Sequence, residues 1–124
     1  MISDYIPDEG HIVYTNFTPS AGHEQDGYRP AVVLSRRAFN ANGLMICVPM
    51  TTKVRGLPTE VPVTSYDPDR TSVAIASQVQ TMDYRHRSIK HVGRASVEEL
   101  YHIRYIVKTF IGFVPAAWRP QAKV

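Results

Sequence analysis

The chain has 124 residues, 44% apolar and 20% charged. This is the size and composition of one folded domain; it excludes a disordered chain and leaves no room for a second core. A single cysteine, Cys47, excludes an internal disulfide and a cysteine-based zinc site. The net charge of +3 hides an asymmetry: residues 1–83 carry 6 Lys/Arg against 9 Asp/Glu, whereas residues 84–124 carry 8 against 2. A basic C-terminal third points to an anionic partner, either nucleic acid or an acidic protein segment.

No basic stretch near the N-terminus leads into an apolar run, and no apolar run is long enough to span a bilayer. The expectation is a cytoplasmic protein with no membrane partner. Residues 10 to 17 read as a strand with both faces partly covered, and residues 18 to 27 as a long polar loop. Ala31 to Leu34 and Leu44 to Val48 are continuous apolar runs, predicted as buried strands, the second ending at Pro49, with a turn between them at Asn40 to Gly43. Glu60 to Val63 reads as an edge strand, because Pro62 cannot donate to a ladder. Tyr66 to Arg70 is a turn. Ser72 to Ala76 and Gln78 to Met82 are strands, either separate or one long bent one. The run from Arg85 to His91 reads as a solvated basic face without nearby carboxylates.

One helix is predicted at the end of this order. Ser96-Val97-Glu98-Glu99 is a capping box, Leu100, Ile103, Val107, Phe110 and Ile111 share a face, and Gly112 followed by Pro115 stops the helix. Strands followed by a C-terminal helix favour a mainly β domain: a twisted antiparallel sheet or small barrel with the helix packed on it.

Two segments carry candidate chemistry. The polar loop leads into Arg29-Pro30 and then a buried strand. Pro30 fixes its own φ and holds Arg29 extended at the strand mouth, where its fork either grips a phosphate or pairs with Asp26 or Glu24. Thr51-Thr52-Lys53 follows the strand that ends at Pro49; hydroxyls beside a lysine suit phosphate contacts, and they equally suit a capped turn. Cys47 reads as inert core.

Several motifs stand in order: Tyr5-Ile6-Pro7-Asp8-x-Gly10, Phe17-x-Pro19-x-x-Gly22-x-Glu24-Gln25-x-Gly27, Arg29-Pro30-Ala31-Val32-Val33-Leu34-Ser35, Val48-Pro49-x-Thr51-Thr52, Val73-Ala74 and Gln78-Val79. Together they resemble the MazF/PemK/Kid toxins of bacterial toxin–antitoxin systems, over roughly residues 5 to 112, with the MazF branch nearest. The resemblance implies an SH3-like small barrel with added helices, a homodimer, and a metal-independent, cofactor-free endoribonuclease that cuts single-stranded RNA, mostly mRNA, at a short sequence. It implies an antitoxin partner whose acidic, disordered segment covers the RNA groove. Residue by residue, it places the catalytic roles on Arg29, Thr52 and Glu24, and RNA contacts on Phe17, Gln25, Lys53, Gln78 and Arg87. One departure is Ser77, where some members carry an acid before the Gln-Val. The segment 113–124 extends beyond the family core, leaving 1–112 as the toxin domain.

The chemistry is consistent with these residues. RNA brings its own nucleophile, the 2′-OH, so an enzyme need only orient it in line, stabilise charge on the phosphoryl oxygens and move protons. Arg29 suits the charge, Thr52 can donate to a non-bridging oxygen, and Glu24 or His23 can relay protons, Glu24 being preferred on the resemblance. Two alternatives stay open from sequence: a non-enzymatic gyrase poison like the CcdB proteins, or an RNA-binding module without cleavage.

Overall fold

Strand β3, Leu44–Thr51, is the member on which the other strands are assembled. In the computed structural model, which describes residues 4–18, 21–22, 24–25, 27–112, 116–118 and 120, β3 pairs along both edges. The remaining strands are β1 His11–Asn16, β2 Tyr28–Val33, β4 Glu60–Pro62, β5 Val73–Ile75, β6 Gln80–Asp83 and β7 Lys90–Arg94. All pairings are antiparallel, in the order β4-β5-β3-β2-β1-β7, with β6 also alongside β3. The result is a twisted open sheet, not a closed small barrel, with β4 and β7 at its ends. Helices α1, Arg37–Asn40, and α2, Val97–Ile111, complete it.

Alternation along the central strands explains the unbroken apolar runs, since both faces of the sheet are covered. Ile12, Val32, Val48 and Met50 face a core closed by Leu100 and Ile103 of α2. Val13, Ala31, Val33 and Cys47 face a second core with Met45, Met82 and Tyr84. Cys47 is fully buried, and burial pushes its thiol up to about 12, so it stays an unreactive thiol.

The strand at Pro49 does not end there but runs on to Thr51. On the edge away from β2, Cys47 pairs with Gln80 of β6 and Met50 with Ala74 of β5. Three steps along β3 are thus matched by six along the partner, and the surplus is the three-residue 3₁₀ turn Ala76–Gln78. Pro49 falls in this gap between registers, where a strand tolerates a residue without an N–H. The same turn separates β5 from β6. The basic run after β6 also departs from expectation. It folds as a 3₁₀ turn, Tyr84–His86, that leads into β7 as a charged edge strand. It does have a carboxylate neighbour: His86 Nδ1 lies 2.8 Å from Asp83 Oδ2.

Helix α2 starts as expected, with both hydrogen bonds of the Ser96–Glu99 capping box formed, and stops at Gly112, whose φ of 101° suits glycine. Its last turn differs. Leu100 and Ile103 are buried, but Phe110 is exposed and Ile111 is 71% exposed. Pro115, expected to follow the stop, lies outside the described residues, as does most of the segment 113–124.

Two polar clusters tie the N-terminal segment down. Asn40 is fully buried. Its Nδ2 donates to the carbonyls of Pro7 (2.7 Å) and Ser35 (3.0 Å), and its Oδ1 accepts from the Ser35 hydroxyl (2.6 Å). His11 is held from both sides: Nδ1 faces the Tyr5 hydroxyl at 2.7 Å and accepts from the Asp8 N–H at 3.2 Å, while Nε2 faces the Arg94 guanidinium at 3.1 Å. The His91 ring lies 4.6 Å away. Burial, then the charges of His91 and Arg94, hold the His11 imidazole below its ordinary range. Geometry agrees: an imidazolium would set N–H against N–H at both nitrogens.

Asn40→Ala leaves the Ser35 hydroxyl and two buried carbonyls short of partners. It is expected to lower unfolding free energy by about 1–3 kcal/mol, measured by urea denaturation. His11 gives a pH dependence. Because its folded pKa lies below the unfolded one, its contribution is complete above about pH 6.5 and is lost as pH falls through the folded pKa. Denaturation midpoints should therefore drop between pH 7 and pH 5, and His11→Gln, which keeps an acceptor but does not titrate, should flatten that drop.

Candidate active site

A cleft of about 590 Å³ opens where β1, β2 and the end of β3 meet the turns that follow. Arg29 enters it from the start of β2. Its Nη1 lies 3.5 Å from the carbonyl of Met50, so the guanidinium spans from β2 to the end of β3. There the two threonines divide their work. Thr51 is buried and its Oγ1 accepts from the Lys53 N–H at 3.0 Å, which turns the chain and leaves Thr52 exposed toward the cleft. The sequence left phosphate contact and capped turn as alternatives; the structure assigns the turn to Thr51 and puts Thr52 with Arg29 and Lys53 on the cleft wall.

The wall is cationic. Arg29, Lys53, Arg55 and Arg70 line it against a single carboxylate, Asp67, among the described residues. Arg55 is positioned by Glu60, whose carboxylate accepts from the N–H groups of Arg55 (3.1 Å), Gly56 (2.8 Å) and Leu57 (3.2 Å). These hydrogen bonds fix the segment after Lys53 against the start of β4. Arg55, Arg70 and the aromatic lining of Tyr14, Tyr28 and Tyr66 were not singled out from sequence. They come from four separate segments, and only the sheet register brings them to one place.

The loop before β2 forms the rim. Phe17 N–H donates to the Gly27 carbonyl (2.9 Å) and Gly27 N–H to Thr18 Oγ1 (3.2 Å), with Gly27 at φ 74° making the return. Gln25 lines the cleft. Its N–H donates to Gln78 Oε1 at 2.8 Å, so Gln78, on the 3₁₀ turn, braces the loop and is not itself part of the wall. Arg87 is a second brace: Nη1 donates to the carbonyls of Asn16 (2.7 Å) and Thr18 (3.3 Å). Both residues therefore hold the loop.

Two further candidate residues stand off the cleft wall. Phe17 is 3% exposed and packed in the core with Val13, Ala31 and Val33. Its ring presents no open face to a base. Glu24 is exposed but outside the cleft lining; its Oε1 accepts from the Ala21 N–H at 2.7 Å within its own loop. His23 and Asp26 lie outside the described residues. Among the described residues, the basic C-terminal third lines no part of this cleft, whose cations come from residues 29 to 70.

Comparison with known proteins follows the same outline. A family model described as PemK-like, MazF-like toxin of type II toxin–antitoxin system matches residues 8–111. Endoribonuclease toxin MazF of Escherichia coli K12 is 40% identical over 113 residues, covering 90% of this chain and 100% of that protein. Endoribonuclease toxin ChpB of the same strain is 38% identical over 95 residues, 73% of this chain and 82% of that protein. The crystal structure of MazF from Deinococcus radiodurans matches with a TM-score of 0.82 at 39% identity, over 89% of this chain and all of that one. A MazE–MazF structure from the same organism matches at 0.75 and 33% identity, over 90% of this chain and all of that one. With a family model matching most of its length and relatives near 40% identity, the chain belongs to the PemK-like, MazF-like toxins of type II toxin–antitoxin systems.

Proposed function

We infer that this chain is the toxin of a type II toxin–antitoxin pair and acts as an endoribonuclease on single-stranded RNA. The observation that carries the reading is the convergence of Arg29, on β2, and Thr52, just past the end of β3, on one cationic cleft. Four cations against one carboxylate favour a polyanion there. The RNA 2′-OH attacks the adjacent phosphorus in line and the bond to the 5′-oxygen breaks. The products are a 2′,3′-cyclic phosphate and a 5′-hydroxyl, with no water consumed and no metal required to make the nucleophile. Arg29 neutralises the charge that gathers on the phosphoryl oxygens, Thr52 donates a hydrogen bond to one of them, and Lys53 holds a flanking phosphate.

The step balances when the proton taken from the 2′-OH is matched by one given to the departing 5′-oxygen, a transfer suited to a carboxylate. We assign it to Glu24, on the loop before β2; Asp67 is the rival already in the wall. The toxin domain is residues 1–112, with 113–124 appended. Val107 and Ile111 of α2, with Leu34, Ile46 and Val79, line a groove of about 400 Å³. Its apolar side chains suit a second copy of the chain, which supports a homodimer. An acidic antitoxin segment, offering carboxylates in place of phosphates, fits the cationic cleft and would inhibit by occupying it, as expected for a partner that orders on binding. No helix among the described residues is long and apolar enough to cross a membrane, and we place the activity in the cytoplasm, with mRNA.

Wild-type protein incubated with single-stranded RNA in excess EDTA should cleave it and leave cyclic-phosphate and 5′-hydroxyl ends. Arg29→Ala should reduce the rate by about 10²-fold or more, and Thr52→Val should reduce turnover while largely keeping affinity for RNA. Strict magnesium dependence, 5′-phosphate products, or a folded Arg29→Ala variant with wild-type rates would overturn the mechanism. For the proton carrier, Glu24→Gln is expected to slow cleavage by about 10²–10⁴-fold. If Asp67→Asn does this instead, the role belongs to Asp67.

A further inference from the structure

Tyr14 and Tyr28 belong to neither core, yet they are packed together. Their ring centroids are 5.8 Å apart with planes 20° from parallel. They are 40% and 56% exposed, and both line the cationic cleft. The register explains the pairing. Tyr14 stands opposite Pro30 and Asn16 opposite Tyr28, so the two tyrosines are diagonal neighbours on one face of the β1–β2 ladder. Exposed aromatic rings beside a cationic groove are the combination that binds single-stranded nucleic acid: cations follow the phosphates, and bases stack on the rings. A duplex, with its bases already stacked, offers no free face to them.

We propose that Tyr28, backed by Tyr14, is a stacking platform for one RNA base next to the scissile phosphate. This rests on the ribonuclease reading above and supplies the aromatic contact that buried Phe17 does not. The spacing decides between two arrangements. A base inserted between the rings needs two stacking distances of about 3.4 Å each, more than the observed 5.8 Å. The base therefore lies on the outer face of the pair, and Tyr28 is the more exposed ring. Tyr28 and Arg29 both line the cleft, so a base on the Tyr28 ring flanks the phosphate that Arg29 neutralises. Stacking uses the ring face and not the hydroxyl, so phenylalanine can replace Tyr28. Tyr14 acts through Tyr28 as a positioning residue.

The test uses the full chain and an RNA oligonucleotide containing the word the wild type cuts, mapped first and made uncleavable by 2′-deoxy substitution at the attacking ribose. Dissociation constants are measured for wild type, Tyr28→Ala, Tyr28→Phe and Tyr14→Ala, on this RNA and on versions with an abasic residue on either side of the scissile bond. Tyr28→Ala should weaken binding by about 5- to 150-fold, the range for one base stacked on one aromatic. Tyr28→Phe should bind like wild type, and Tyr14→Ala should fall between them. On one of the two abasic RNAs the penalty of Tyr28→Ala should vanish, because the base it stacks is already gone. Binding of Tyr28→Ala within twofold of wild type, or an equal penalty on every RNA, overturns the platform while leaving the ribonuclease reading intact. A wild type that cleaves no RNA overturns that reading, and the platform with it.

Discussion

The antiparallel register of β2 on β3 is the constraint on which the site depends. Ala31, Val32 and Val33 stand opposite Pro49, Val48 and Cys47. Continued outward, the same register sets Arg29 across from Thr51 and Tyr28 across from Thr52. The site is thus the frayed end of a ladder whose paired end is fully buried core. A slip of one residue would turn Val32 and Val48 out of the α2-side core, so the hydrophobic alternation that stabilises the fold also aligns guanidinium, hydroxyl and aromatic ring.

Charge behaves differently from what its distribution along the chain suggests. The first 83 residues are net acidic, yet they furnish every cation of the cleft. Several of their acids are already occupied elsewhere. Asp8 accepts from the N–H groups of Glu9 and Arg37, hydrogen bonds that hold its carboxyl below the usual carboxylate range. Glu9 meets Arg36 and Arg104. Glu60 is held by three backbone N–H groups, and Asp83 by His86. What remains facing the cleft is a surplus of arginine and lysine. The basic C-terminal third supplies structural contacts: Arg87 braces the loop, and Arg104 donates to the Leu34 carbonyl at 2.5 Å.

Local chemistry was legible in the sequence where it is set by adjacent residues. The Ser96–Glu99 box, the Gly112 stop and the edge strand with Pro62 depend on neighbours in the chain, and Arg29-Pro30 announces its own extended geometry. The motifs identified the family on the same basis. Long-range pairing was not legible. β7 is a polar edge strand without alternation, and it forms because β1 offers it a ladder. Pro49 reads as a strand end unless the change of partner from β6 to β5 is known. Phe17, Gln78 and Arg87 carry motif positions, but whether such a residue faces RNA or holds the loop that does is decided by burial and by contacts 53 to 71 residues away. Tyr14 and Tyr28 gave no signal apart, because what matters about them is that they touch.

The irregularity in the sheet and the placement of the loop are one feature. Had β5 and β6 formed a single regular strand along β3, there would be no 3₁₀ turn at Ala76–Gln78 and no side chain from that edge to meet Gln25. The surplus of three residues lifts Gln78 off the ladder, where its carbonyl oxygen caps the N–H of a loop residue that the sheet does not otherwise reach. Arg87, arriving from the other side of the fold, holds the loop's first carbonyls. The stem is therefore anchored at both ends, by Arg87 at its start and by Gln78 near its return.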